Sequence, residues 1–166
     1  NNALVCGDYD NDSDLDLLVS GEFLNPINGT DKYTRLFRND ITLVNNPPSA
    51  PGGLSFVQNG DELIISWNAS TDDKTPANGL NYNLRLGTES GNVDILSPMA
   101  DMSSGYRRIV ASGNTSAKLS WGIYGLGFGE YYASVQAIDH DYAGSAFSSN
   151  LLVSIIPTAT FDMVDS

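Results

Sequence analysis

Gly129-Glu130-Tyr131-Tyr132-Ala133-Ser134-Val135-Gln136-Ala137 puts Tyr131, Ala133, Val135 and Ala137 on one side of the backbone, and Tyr132, Ser134 and Gln136 on the other. A two-residue period is that of a strand, whose successive side chains leave opposite faces. The same period runs through Leu63, Ile65 and Trp67 against Ile64 and Ser66, and through Tyr82, Leu84 and Leu86 against Asn83 and Arg85. Each run therefore offers one face to a core and one to water. Nowhere do apolar residues recur at i, i+3, i+4 and i+7 over three turns, while Gly, Asn, Asp and Pro break the chain into short runs. The fold class read from this is all-β.

The 166 residues are 41% hydrophobic and 10% aromatic, enough to bury a core. Lys plus Arg number 8 against 20 Asp plus Glu, a formal charge of -12. That balance argues against nucleic acid and anionic lipid as partners. The longest apolar run, Leu151 to Ile156, is strand-length, so no membrane insertion is expected. Cys6 stands alone, which excludes an intrachain disulfide and a Cys-rich metal site. The chain begins at Asn1 without Met or a leader pattern and reads as a piece of something longer.

Asn45-Asn46-Pro47-Pro48-Ser49-Ala50-Pro51-Gly52-Gly53 is the natural seam, because Pro cannot donate to a central ladder. It divides the chain into residues 1–46, a sandwich-sized unit at 47–156, and a C-terminal tail at 157–166. The first unit is too small to be stable without a staple or a neighbour. Leu17, Val19, Leu36 and Phe37 are the residues expected to dock it on the second unit or on another chain.

Ahead of the seam, Gly7-Asp8-Tyr9-Asp10-Asn11-Asp12-Ser13-Asp14-Leu15-Asp16 places five carboxylates at strict two-residue spacing. Like charges this close hold each other's protons unless a cation neutralises them. A hard divalent cation with a flexible oxygen shell, such as calcium, fits alternate residues of a tight loop. The loop is not an EF-hand: that motif needs Gly at position six and Glu at position twelve, which here are Ser13 and Val19. It resembles the calcium loop of the FG-GAP or VCBS repeat, the integrin-like propeller blade, with Ser13 where that pattern has Gly. The resemblance runs on through Asp16-Leu17-Leu18-Val19-Ser20-Gly21 and Tyr33-Thr34-Arg35-Leu36-Phe37-Arg38-Asn39-Asp40. It implies calcium held by the side chains of Asp8, Asp10, Asp12 and Asp16 and the backbone carbonyl of Asp14. It also implies further propeller repeats upstream, since one blade closes no propeller.

From Pro48 onward the chain resembles a fibronectin type III domain. The resemblance rests on the Pro-rich lead, Leu54 on a first strand, Trp67 ending a second, Tyr82 on a third, and Leu126-Gly127-Phe128-Gly129-Glu130-Tyr131 before the next. It implies an immunoglobulin-like β-sandwich of about seven strands with Tyr131 as its tyrosine corner. The core expected from inward parity is Leu54, Leu63, Ile65, Trp67, Tyr82, Leu84, Leu126, Tyr131, Val135 and Ala137. Residues 87–116 are too long for a bare loop and are expected to hold a hairpin or extra strand over Val93–Leu96 and Tyr106–Val110.

Tyr106, Arg107, Arg108 and Tyr124 are the candidate partner-binding residues, because Tyr and Arg are common interface anchors. The single His140, in Asp139-His140-Asp141-Tyr142, reads as a turn, and no nucleophile elbow, phosphate loop or zinc motif is present. The expectation is a non-catalytic, calcium-binding extracellular module of a secreted or surface protein, mediating adhesion or binding a protein or carbohydrate ligand. A structural spacer that positions another domain is the alternative.

Overall fold

The structure, a computed structural model, describes residues 2–10, 12, 14–40, 45–107 and 109–157. Among them are nine strands in three antiparallel sheets, each of three strands. The first sheet joins β1 (Ala3–Gly7), β2 (Asp16–Asn25) and β3 (Gly29–Phe37) in chain order. After β4 (Ser55–Asn59), β5 (Glu62–Ser66), β6 (Asn81–Gly87), β7 (Ser120–Tyr124), β8 (Gly129–Ile138) and β9 (Leu151–Ile155), the other two sheets are ordered β4-β5-β7 and β6-β8-β9. The all-β class holds. The described residues contain one short 3-10 turn, Ala77–Gly79, and no helix long and apolar enough to cross a membrane.

Turn chemistry sets the β4–β5 register. Asn59 pairs with Glu62, so Gly60 and Asp61 form a two-residue loop, and Gly60 takes the positive φ of 66° that such a loop needs. From that register Leu63 and Ile65 face inward and join Tyr82, Leu84, Leu86, Tyr131, Ala133, Val135, Ala137 and Val153 in one buried cluster fed by both sheets. Trp67 is 4% exposed and its ring lies tilted against Tyr82, centroids 5.8 Å apart. Leu54 and Leu126, expected in the core, are only partly buried and pack against its rim. The Tyr131 hydroxyl donates to the Gly127 carbonyl at 3.0 Å, fixing the bend before β8.

The face of β6 and β8 expected to meet water does not meet it. Asn83, Arg85, Ser134 and Gln136 are all buried. The connection 87–116 lies over them and supplies acceptors in place of water. Arg85 donates through Nε to Ser134 Oγ at 2.8 Å, through Nη1 to the Asn92 carbonyl at 2.7 Å, and through Nη2 to Asn150 Oδ1. Gln136 Nε2 donates to the carbonyls of Gly105 and Ser145, and Gln136 Oε1 accepts from Asn83 Nδ2 at 3.1 Å. The Asn114 side chain brackets Leu84, accepting its N–H and donating to its carbonyl, both at 2.8 Å.

The hairpin expected in this connection is replaced by one bridge, Leu86 to Leu96, and Tyr106–Val110 forms no strand among the described residues. Side-chain amides here do what a backbone ladder would otherwise do.

Of the residues expected to dock the first unit, Leu17 and Val19 are half-buried, while Leu36 and Phe37 are open. Leu36 and Phe37 are 44% and 50% exposed, and no described strand of the first sheet lies against a strand of the others. Hydrogen bonds join the parts. Asn45 Nδ2 donates to Asp139 Oδ2 at 2.6 Å and Asn46 Nδ2 to Asp73 Oδ2 at 3.0 Å, while the Tyr106 hydroxyl donates to Asp8 Oδ2.

Candidate metal centre

Gly7 pairs with Asp16, so the acidic loop closes the β1–β2 hairpin and starts and ends on adjacent strands. Asp16 opens β2 and is 2% exposed. One of its oxygens accepts the Tyr9 N–H and the other the Asn39 N–H, each at 2.9 Å. It thereby folds the loop back on itself and ties it to the chain leaving β3. Asp8 Oδ1 accepts the Asp12 N–H at 3.2 Å.

These bonds turn the loop inward, and one carboxylate oxygen from each of Asp8, Asp10 and Asp16 comes within 4.8 Å of the other two. Three of the five expected ligands are thus together. Asp12 stands beside them: its Oδ1 accepts the Asp14 N–H at 3.3 Å and its Oδ2 lies 3.5 Å from Nη2 of Arg38, whose Nε also meets Asp10.

Electrostatically the loop is short of positive charge. Arg38 is its nearest cation, with Nε 3.0 Å from Asp10 Oδ2 and 2.7 Å from Asp40 Oδ1. Even so, the Asp10 carboxyl sits above the ordinary carboxylate range, raised by desolvation and by Asp12 and Asp16 against the pull of Arg38. Asp14 is raised by desolvation and by the same neighbours, with Asp10 and Asp8 adding to it. Asp10 Oδ1 and Asp14 Oδ1 are sealed from solvent without a hydrogen-bond donor. Buried acceptors with no donor, among crowded carboxylates, suit a hard divalent cation bound through oxygen. The donor set fits such an ion, and Asp8, Asp10 and Asp16 are the residues that could hold it.

Spacing alone did not point to Arg38, the Asn39 amide or Tyr106 as neighbours of this loop. Arg38 and Asn39 reach it only through the β2–β3 register. Tyr106 is 98 residues from Asp8 in the chain, and no local signal links them.

The candidate partner-binding residues do not form one surface. Tyr124 is 64% exposed on β7, where its hydroxyl donates to Glu62 Oε1 at 2.5 Å. Arg107 is 7% exposed and donates through Nη2 to the Ala111 carbonyl at 2.8 Å, so it is a buried brace and not a surface anchor. Tyr106 is half-buried against Asp8, and Arg108 lies outside the described residues. His140 occupies the turn after β8, with Nδ1 against Thr75 Oγ1 and Nε2 3.4 Å from Asp141 Oδ1. Thr75 is 2% exposed, and its contact with His140 ties the 72–75 turn to the 139–142 turn. An open groove of about 340 Å³ lies at the opposite end of these strands, lined by Gln58, Glu62, Leu63, Leu126 and Phe128.

No family model matches the chain, and no curated protein matches it. Among solved structures it is similar to the spore cortex lytic enzyme SleM of Clostridium perfringens, at 17% identity and a TM-score of 0.41. The match covers 80% of this chain and 36% of that one. The chain therefore spans about a third of the length of the structure it matches. Because that protein is described as a lytic enzyme, the expectation that this chain is without catalysis is withdrawn. At this level of similarity the match assigns no reaction to any residue here.

Proposed function

We propose that residues 1–46 are a calcium-binding repeat of the FG-GAP or VCBS type and that residues 47–156 are a fibronectin type III-like sandwich. Together they form a calcium-binding module of a larger secreted or surface protein that holds a protein or carbohydrate partner. The metal reading is carried by one observation: carboxylate oxygens of Asp8, Asp10 and Asp16 converge while Asp10 Oδ1 and Asp14 Oδ1 have no donor. Calcium is preferred over magnesium because the loop offers many oxygens in a flexible arrangement and no rigid octahedron. The sandwich reading is supported by two three-stranded sheets feeding one core and by the Tyr131 bond to Gly127 at 3.0 Å, the contact a tyrosine corner makes.

The test is calorimetric titration of the full chain with calcium and, separately, magnesium. Calcium should bind with the larger affinity, and Asp10→Asn should remove most of the heat. Equal affinity for the two ions would contradict the calcium assignment, and no heat from either at millimolar concentration would contradict a metal site altogether.

A second reading, the spacer, is favoured by the seam. Asn45 and Asn46 are each bonded to a carboxylate of the second unit, which fixes the linker in place of a free hinge.

A further inference from the structure

Asp8 is held from both sides of the seam. Its Oδ1 accepts from within the loop, while its Oδ2 accepts the hydroxyl of Tyr106, which belongs to the long connection of the second unit. The segment presenting Tyr106 is firmly built. Asp101 Oδ1 accepts the Ser103 and Ser104 hydroxyls, both at 2.7 Å, and their N–H groups at 3.1 and 2.8 Å. The Asp101 N–H donates to the Tyr106 carbonyl at 2.9 Å. Next to it, Gly105 has φ of 77°, and a Cβ there would lie 2.2 Å from the Ser145 carbonyl oxygen. The Gly105 carbonyl accepts from the buried Gln136 amide, so the turn is anchored in the second unit's interior. Tyr106 therefore reaches the acidic loop from a fixed support.

We propose that Tyr106 is a positioning residue of the cation site, and that cation binding and docking of the first unit on the second are coupled through Asp8. This rests on the reading of the acidic loop as a cation site. A carboxylate offers about four lone-pair positions, and the Tyr106 hydroxyl and the Asp12 N–H together fix the plane in which those of Asp8 point. Donors that orient a ligand carboxylate commonly change metal affinity by about tenfold or more. The coupling is reciprocal: an ion that holds Asp8 in this orientation stabilises the Tyr106 contact, and loss of the contact weakens the ion.

The experiment uses the full chain and calcium alone. Calorimetry of wild type, Tyr106→Phe and Tyr106→Ala is paired with hydrogen exchange of residues 101–107, with and without calcium. Tyr106→Phe removes only the hydroxyl and should raise the calcium dissociation constant about tenfold, leaving the melting temperature in chelator unchanged. Calcium should slow exchange at 101–107 in wild type and not in Tyr106→Phe. Equal calcium affinity in wild type and Tyr106→Phe, with wild type binding, would overturn the positioning role and leave the cation site standing. Absence of calcium binding by wild type would remove both. A lower melting temperature of Tyr106→Phe in chelator, with unchanged calcium affinity, would make the bond a plain structural contact and would also overturn the proposal.

Discussion

The first sheet and the β6–β8 pair treat their faces in opposite ways. In the first sheet Val5, Leu18 and Leu36 stand side by side across three strands and are 57%, 38% and 44% exposed. In β6 and β8 the polar row of Asn83, Arg85, Ser134 and Gln136 is buried. Alternation determines which side chains share a face. Whether that face is covered depends on what the rest of the chain lays over it. For β6 and β8 the cover is the 87–116 connection, whose Asn92 and Gly105 carbonyls accept from Arg85 and Gln136, with Ser145 and Asn150 from beyond β8 accepting the rest. The first sheet has no such cover among the described residues, and its apolar row stays open.

The contrast predicts very different sensitivities to substitution. The largest effect belongs to the closed core. Trp67→Ala should cost about 3–5 kcal/mol, measured by denaturant unfolding, because a 4%-exposed indole packed on Tyr82 leaves a cavity. A loss below about 1 kcal/mol would mean that Trp67 is peripheral and that the two sheets do not share a core. Gln136→Ala tests the buried polar face. It strands the carbonyls of Gly105 and Ser145 and the Asn83 amide, and should cost about 1–3 kcal/mol in the same assay. An exposed glutamine would show almost no change, so this variant separates a sealed face from a wet one. Leu36→Ser, on the open row, should shift stability by no more than about 0.5 kcal/mol. A loss of several kcal/mol would show that this face is packed in solution and that the two regions are alike after all.

These differences also mark how far the sequence could be read. Strand parity gave the inward residues Leu63, Ile65, Tyr82, Leu84, Val135 and Ala137 correctly, because a two-residue period is a local property. The seam at Asn45–Gly53 was legible from Pro, and the acidic loop from its spacing. The burial of Arg85 and Gln136 was not legible, since their partners Asn92, Asn150, Gly105 and Ser145 lie outside any periodic run. Arg107 was misjudged for the same reason: Arg is common at interfaces, and only the path of 87–116 shows that this one is enclosed. At the candidate metal centre, Asp8, Asp10 and Asp16 followed from spacing. Asp12 lies beside them, on Arg38 and the Asp14 amide, and Tyr106 depended on a contact across the seam.

The most direct test of the central claim, that the acidic loop is a calcium site, is hydrogen exchange mass spectrometry on the full chain in chelator and in millimolar calcium. Binding to the folded state alone stabilises it by RT ln(1 + [L]/Kd), about 2.7 kcal/mol at a hundredfold excess over Kd. That stabilisation should appear as slower exchange across residues 2–40, centred on the loop between β1 and β2, with the core of β6 and β8 unchanged. Identical exchange of residues 2–40 in chelator and in calcium would contradict the claim and leave the loop a solvated acidic turn.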